Sequence, residues 1–150
     1  VPMASIPANI RKVVKKDHPK NVLFPGYING DLIEGAYSGA DLFFFPSYEE
    51  TEGIVVLEAL ASQQQVLLRN IPVYDGWMED HKNCYMGNNN QEFEHLIHQL
   101  VEHQLPNLSM AGFKTAQEKS ITQIGEELKA VYQAVLEQPY DHQIYAKVTR

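Results

Sequence analysis

Three short, continuous apolar runs mark the strands of this chain. They occupy residues 22–24, 42–45 and 66–68. Runs of this kind, without polar alternation, are typical of strands buried on both faces of a parallel sheet. Pro25-Gly26 closes the first run. We therefore predict three parallel strands, with residues 42–45 as a central strand.

Apolar residues at helical spacing precede the first of these strands and lie between the others. They are found in residues 5–17 and 53–63, and in a stretch that begins at Asp31 and ends at the Ser38-Gly39 pair. Pro19 ends the first of the three helices because proline cannot continue a helix. Strands that alternate with helices in this way predict βαβ units.

The second half of the chain has a different pattern. Residues 70–90 are rich in Asn, Gly, Pro and Asp, which indicates a long connection with one short strand at 84–86. Apolar residues at helical spacing then predict helices around residues 93–101 and 121–135, with a less regular one at 108–116. These three helices are expected to close the domain at its C-terminal end.

The predicted fold class is α/β. We expect a Rossmann-like parallel sheet in a three-layer αβα arrangement, with the extra helices at its C-terminal end. The whole chain, residues 1–150, is interpreted as one domain. Ligands of open parallel sheets bind beyond the carboxyl ends of the strands, so the loop after residue 45 is the place to look for chemistry.

Composition narrows the class of partner. The 150 residues are 44% hydrophobic and carry a net charge of −7, which argues against a nucleic-acid backbone as a partner. Five cations between Arg11 and Lys20 are interpreted either as a solvated helix face or as a contact for anionic lipid or nucleotide phosphates. No apolar run is long enough to span a bilayer, and we expect no export leader. The single cysteine, Cys84, fits a reducing compartment, so we expect a cytoplasmic protein.

Gly53 stands where the predicted loop enters a helix. A helix start leaves its first N–H groups free, and glycine permits close approach of a ligand. The amides of Gly53, Ile54 and Val55 therefore form a candidate site for an anion such as a diphosphate. A plain strand-to-helix turn explains the same glycine equally well.

Two glutamates make this loop more informative. Glu50 lies in the loop and Glu58 in the helix, and a carboxylate can accept hydrogen bonds from neighbouring hydroxyls of a sugar or ribose. Apolar residues surround Glu58 in the sequence, which suggests that its charge is confined and needs a partner. The alternative interpretation is a solvent-facing glutamate on a helix, favoured near the N-terminus by the helix dipole. Glu49 and Glu52 are interpreted as solvent-facing acids near a helix N-terminus.

Other candidate residues have ordinary structural explanations. His95 and His98 share a helix face, but without Cys or carboxylate partners they are assigned to the surface rather than to a metal. Tyr74, Trp77 and Tyr85 have rings that can stack on a ligand, and packing explains them equally well. No Asp-x-Asp motif for a divalent ion is present, so we expect no metal cofactor.

The stretch from Phe45 to Ala61 resembles the signature of glycosyltransferase family 4, the group 1 enzymes with the GT-B fold. Its Glu50 and Glu58 have seven residues between them, in the frame E-x-x-G-x-x-x-L-E-A-L-A that follows Phe-Pro-Ser. The resemblance extends over roughly residues 5–135. Within the family, the sequence of this motif is most similar to that of Gram-positive enzymes that glycosylate diacylglycerol or glycosyl-diacylglycerol.

The resemblance implies a role for each matching residue. Glu50 is expected to contact hydroxyls of the donor sugar, and Glu58 the ribose hydroxyls of the nucleotide. The helix-start amides are expected to bind the distal phosphate and the sugar. The full set of implied donor-binding residues is Tyr27 and Ile28 beside the base, Ser47, Glu50, Gly53, Ile54, Val55 and Glu58. Many members have an aromatic residue where this chain has Glu52, which leaves the sugar-side contact open.

The resemblance also implies missing parts. The chain corresponds to the C-terminal, donor-binding domain, truncated on its N-terminal side, so the acceptor-binding N-terminal domain and the usual Arg and Lys for the diphosphate lie outside it. The implied reaction is metal-free, retaining transfer of a hexose from UDP-glucose or UDP-galactose to a lipid or glycolipid, with peripheral contact at the inner face of the membrane. The catalytic base or acceptor-side residues are not identified in this chain.

Two alternatives remain at the level of sequence. A non-catalytic domain of flavodoxin-like architecture that binds a nucleotide or phosphate needs only Gly53 and the helix N-terminus, not the two glutamates. An α/β domain that binds other proteins is the third possibility.

Overall fold

The computed structural model describes residues 20–26, 28 and 30–137 of the chain. The chain divides into two compact units, Val1–Ala40 and Asp41–Arg150, each of which is described by itself. The helix predicted at residues 5–17, with most of its cations, lies outside the described residues.

The first unit contains one described helix, α1 (Asp31–Gly39), at the predicted position. Gly30 precedes it with a positive φ of 53°, a conformation that glycine adopts at little cost. The strand predicted at residues 22–24 is wrong, because these residues have no regular structure. An apolar run becomes a strand only where a neighbouring strand completes its backbone hydrogen bonds, and none pairs with it in the described part of the chain.

The second unit is built on a three-stranded parallel sheet. Its strands are β1 (Phe43–Phe45), β2 (Val66–Arg69) and β3 (Tyr85–Gly87), in that spatial order. Phe45 stands opposite Leu68 in the register, and Leu68 opposite Met86. The predicted parallel α/β architecture is confirmed, with helices flanking the sheet.

Among the described strands the central one is β2, whereas the sequence predicted β1 as a central strand. All four residues of β2 are buried, whereas Phe44 in β1 is 40% exposed. Among the described strands, β2 has neighbours on both sides and β1 on one. A continuous apolar run predicts burial of both faces, which does not hold for Phe44, and it carries no information on how many strands lie beside it.

Helix α2 (Ile54–Ala61) connects β1 to β2, as predicted. It buries Val56, Ala59 and Leu60, which recur at the helical spacing that the sequence shows. It packs against β2 and against α4 (Ser109–Glu118). The α2–α4 contact depends on Gly112, because a Cβ there would stand 2.5 Å from the Leu60 side chain.

Helix α3 (Asn90–Val101) follows β3 and covers the sheet. The side chain of Asn89 caps its start by accepting from the amide of Glu92, and the Glu92 carboxylate accepts hydrogen bonds from the backbone and side-chain amides of Asn88. These bonds lower the pKa of Glu92 below its ordinary value of 4.5. Phe93 and Leu96 then enter a core with Leu67 and Tyr85.

Helix α5 (Ile121–Glu137) has no buried residue. Its position was predicted correctly, but its expected role in closing the domain was not, because the apolar side chains of Leu128, Val131 and Val135 are exposed. Periodicity reveals that a helix has an apolar face, not what covers that face. Of the helices in the described ranges, none has the length and hydropathy needed to cross a bilayer.

Candidate functional site

The candidate site lies at the edge of the sheet where β1 and β2 both end. Residues 46–53 leave the carboxyl end of β1 and enter α2, which is where open parallel sheets place their ligands. The Ser47 hydroxyl donates to the carbonyl of Glu49 at 2.9 Å. Ser47 therefore shapes the start of this loop, in addition to any contact with a ligand.

Gly53 forms the junction between the loop and α2. Its backbone is left-handed, with φ 70° and ψ 34°, a conformation that strains most residues with a side chain. A Cβ at this position would also stand 3.0 Å from Cε1 of Tyr74 and 3.7 Å from the Trp77 ring. Glycine is required here for both reasons, so the predicted glycine signal has a structural basis.

The first amides of α2 have no intrahelical acceptor. The first helical bonds run from the amides of Val56 and Leu57 to the carbonyl of Gly53, at 2.9 and 3.3 Å. The amides of Gly53, Ile54 and Val55 precede these bonds, and no side chain caps the helix. Together with the helix dipole, they form a place where an anion is stabilised.

The two signature glutamates differ in their surroundings. Glu50 is half-buried and Glu58 is exposed. The expected confinement of Glu58 among apolar residues is wrong, because the buried residues of α2, Val56, Ala59 and Leu60, lie on a different face of the helix. An exposed carboxylate at this position is accessible to a ligand.

Tyr74 packs against Gly53, at the junction between the loop and α2. It ends a 3₁₀ turn (Pro72–Tyr74) after β2, is 1% exposed, and contacts Trp77 edge-to-face with 5.6 Å between ring centroids. Burial, followed by the charges of Glu50 and Cys84, raises the pKa of Tyr74 to about 12. The phenol therefore remains a neutral hydrogen-bond donor at physiological pH.

The sequence reasoning missed Arg69, at the end of β2. This side chain is only 7% exposed. Its Nε donates to the carbonyl of Pro46 at 3.0 Å and one terminal nitrogen to the carbonyl of Asn88 at 2.8 Å. The guanidinium also lies over the rings of Tyr48, at 3.9 Å from the centroid, and Phe93, at 5.0 Å.

These contacts attach Arg69 to the beginning of the candidate loop. Pro46 is the first residue after β1, and Arg69 stands at the same edge of the sheet. The signal for this role was present in the sequence as a cation directly after the buried run Val66 to Leu68. Such a cation must find acceptors locally, because burying an unpaired charge is costly.

A cleft of about 470 Å³ lies beside Arg69, but it is not the predicted site. Its lining includes Phe44, Tyr48, Arg69, Phe93 and His98. Glu50, Gly53 and Glu58 do not line it. The predicted ligand groups thus belong to the loop and the helix start, not to this largely apolar cleft.

The remaining predicted residues fall into three groups. Tyr27 lies outside the described residues, and Ile28 belongs to the first unit. His95 and His98 are exposed on α3, and within residues that the structure describes no cluster of three or more His, Cys, Asp or Glu can hold a metal. Tyr85 is packed in the core, where its hydroxyl donates to the carbonyl of Pro106 at 2.8 Å.

Comparison with known proteins assigns a family to this site. The sequence profile described as glycosyl transferases group 1 matches residues 9–119. A processive diacylglycerol alpha-glucosyltransferase of Acholeplasma laidlawii is 50% identical over 127 residues, which cover 85% of this chain. An alpha-galactosylglucosyldiacylglycerol synthase of Streptococcus pneumoniae is 32% identical over 76 residues, or 51% of this chain.

The chain spans much less than the full length of these relatives. The matched residues make up 38% of the Acholeplasma protein and 20% of the Streptococcus protein. An alpha-monoglucosyldiacylglycerol synthase of Acholeplasma laidlawii is also similar, at 36% identity over 74 residues, which cover 49% of this chain and 19% of that protein.

Proposed function

Because this chain belongs to the group 1 glycosyltransferases, we propose that its second unit binds the nucleotide-sugar donor of a hexosyl transfer. Members of the family use nucleotide sugars as donors, and this chain is related to diacylglycerol glycosyltransferases. The proposed donor is UDP-glucose or UDP-galactose. The proposed acceptor is a diacylglycerol or a glycosyl-diacylglycerol.

A single observation carries this proposal: the uncapped start of α2 follows directly on a loop that holds a half-buried carboxylate. The amides of Gly53, Ile54 and Val55 are available for the distal phosphate of the donor. Glu50 lies three residues before Gly53 in the same loop, and its carboxylate is assigned to hydroxyls of the donor sugar. Glu58, exposed on α2, is assigned to the ribose hydroxyls.

The proposed chemistry is retaining transfer without a metal ion. In this transfer the oxygen of an acceptor hydroxyl bonds to the anomeric carbon of the hexose as the bond from that carbon to the diphosphate breaks. The hydroxyl proton passes to the departing diphosphate, on which negative charge develops. The helix-start amides stabilise that charge because they are already oriented towards it. A Glu50 carboxylate that accepts sugar hydroxyls fixes the orientation of the ring.

The acceptor side of the reaction is assigned to parts of the protein outside this chain. The relatives are between about two and a half and five times longer than the segments they share with it. We propose that a further domain binds the lipid acceptor, and that transfer takes place between the two domains. Because such acceptors reside in a bilayer, we expect peripheral contact with the cytoplasmic face of the membrane.

Titration with UDP-glucose and UDP-galactose tests the donor site. In full-length protein, Glu58→Ala should weaken donor binding by about tenfold or more, because it removes a carboxylate that accepts two ribose hydroxyls. Isothermal titration calorimetry measures the change.

Glu49→Ala is the matched control for this titration. Glu49 is an exposed acid of the loop that leads into α2, so its removal changes the charge by the same amount without removing a proposed ligand. We expect it to change the affinity by less than about twofold. Unchanged affinity in Glu58→Ala, or an equal loss in both variants, would show that Glu58 does not bind the nucleotide.

A further inference from the structure

The hydroxyl of Tyr74 is a buried hydrogen-bonding group without a partner. In the described part of the chain, three buried side-chain atoms make no hydrogen bond: Gln64 Oε1, Gln65 Nε2 and Tyr74 Oη. The two glutamines directly precede β2, at the opposite edge of the sheet from the candidate site. Tyr74 alone among these three lies at the edge where the loop enters α2.

An unsatisfied buried hydroxyl requires an explanation, because burial of a polar group without a partner destabilises the folded state. The residue is 1% exposed, so the hydroxyl is shielded from bulk solvent. Replacement by phenylalanine would keep the packing and remove this cost. The presence of the hydroxyl therefore points to a partner that it acquires in another state of the protein.

The position of the hydroxyl limits what that partner can be. Its oxygen is 3.7 Å, and Cε1 is 3.0 Å, from the point where a Cβ of Gly53 would stand. The phenol also packs edge-to-face with the Trp77 ring. The phenol hydroxyl thus lies beside Gly53, the residue at which the loop ends and the helix-start amides begin.

Glu50 is the half-buried acid of the loop before this junction, whereas Glu49 and Glu52 are exposed. Glu50 lies three residues before Gly53, and its charge contributes to the raised pKa of Tyr74. A carboxylate has two oxygens and about four acceptor positions. It can therefore accept from a buried phenol and from sugar hydroxyls at the same time.

We propose that Tyr74 is a positioning residue of the donor site, whose hydroxyl donates a hydrogen bond to the Glu50 carboxylate when that carboxylate turns to hold the donor sugar. The inference rests on the proposed function, since it requires Glu50 to contact the donor. Tyr74 itself does not touch the ligand. It orients Glu50 and gains its missing acceptor in the same step.

Tyr74→Phe tests this proposal, with Tyr85→Phe as a matched control. Both tyrosines are 1% exposed, but the Tyr85 hydroxyl already donates to Pro106. The two variants, together with Glu50→Gln and the double variant Tyr74→Phe/Glu50→Gln, are compared in full-length protein. Isothermal titration with UDP-glucose gives the dissociation constant, and thermal denaturation without donor gives the stability of the free state.

The two tyrosine variants should behave in opposite ways. Tyr74→Phe should weaken UDP-glucose binding about tenfold and leave the ligand-free melting temperature unchanged or higher, because the hydroxyl has no partner to lose there. Tyr85→Phe should lower the ligand-free melting temperature and leave the dissociation constant within about twofold. In the Glu50→Gln background, Tyr74→Phe should have less than about a twofold effect, since its target is weakened.

Three outcomes would overturn the inference while the proposed function stands: Glu50→Gln weakens binding but Tyr74→Phe does not; the effect of Tyr74→Phe persists in full in the Glu50→Gln background; or Tyr74→Phe destabilises the free protein as Tyr85→Phe does. If Glu50→Gln leaves binding unchanged, the assigned role of Glu50 fails first, and the role of Tyr74 fails with it.

Discussion

At the scale of single residues, Gly53 and Tyr74 depend on each other. Gly53 adopts the left-handed backbone that starts α2, and the phenol of Tyr74 fills the space that a side chain at Gly53 would need. The sequence indicates the glycine through its place between a strand and a helix. It does not indicate that Tyr74 contacts this glycine. Tyr74 lies 21 positions further along the chain, and only the folded structure brings the two residues together.

Gly53→Ala should destabilise the protein more than Gly76→Ala does. Both glycines have a positive φ, of 70° and 82°, so each alanine carries a backbone cost of about 1 kcal/mol. Only at Gly53 does the added methyl meet a ring, and nothing lies within 4 Å of a Cβ at Gly76. We expect an additional loss of about 1 kcal/mol in Gly53→Ala, from displacement of a packed ring.

Urea denaturation of the two glycine variants measures this difference. Equal free energies of unfolding would mean that the Tyr74 ring moves away without cost, and that the left-handed backbone alone explains the glycine.

At the scale of elements, Arg69 joins the end of β2 to the starts of two other segments. Its two hydrogen bonds reach the residue after β1 and the residue before the cap of α3. The sequence predicts the strand and the helix correctly, because their apolar periods are local. It does not predict the bridge between them, since the acceptors are backbone carbonyls, which carry no sequence signal.

Arg69→Met should lower the free energy of unfolding by about 3 kcal/mol. Methionine keeps much of the apolar stem but leaves the carbonyls of Pro46 and Asn88 without this donor, and hydrogen bonds to a charged group are worth about 1.5–3 kcal/mol each. Arg69→Lys should have an intermediate effect, because an ammonium does not reproduce the planar fork. Urea denaturation measures both variants.

Lys82→Met is the control for the loss of a cation. Lys82 pairs with Glu79 on the surface, and such exposed pairs contribute only about 0–1 kcal/mol. If Arg69→Met were no more destabilising than Lys82→Met, Arg69 would not hold the loop to the sheet.

At the scale of the whole molecule, the second unit protects one chemical group well enough to report on its unfolding. Cys84 is the single cysteine of the sequence and is fully buried just before β3. Burial, with the charge of Asp80 as a second cause, raises the pKa of the Cys84 thiol to about 12 from an ordinary 9.0. The reactive thiolate is therefore disfavoured in the folded state.

Alkylation of Cys84 by iodoacetamide at pH 8 should occur only when this unit opens. Along a urea series, the labelled fraction should rise together with the loss of helical circular dichroism, because the same transition exposes the thiol. Glutathione in the same buffer provides the intrinsic rate, and Cys84→Ala the blank. Rapid labelling without urea would show that the region around β3 opens independently of the core.

The raised pKa of Cys84 also determines how the free energy of unfolding changes at alkaline pH. A thiol whose folded pKa exceeds its unfolded value contributes nothing unfavourable below about pH 9. As pH rises from about 9 towards 12, the unfolded chain loses this proton first, so the free energy of unfolding falls.

The sequence by itself determined the order and kind of the elements in the second unit and the loop that carries Glu50 and Gly53. These follow from local periods, from glycine at a strand-to-helix turn and from a motif of fixed spacing, all of which are written along the chain. Only the tertiary structure decided that β2 lies between the other two described strands, that Glu58 and the apolar side chains of α5 are exposed, and that Tyr74 and Arg69 reach the loop. Each of these depends on which distant segments of the chain pack together, because that packing determines which side chains are buried and which groups hydrogen-bond.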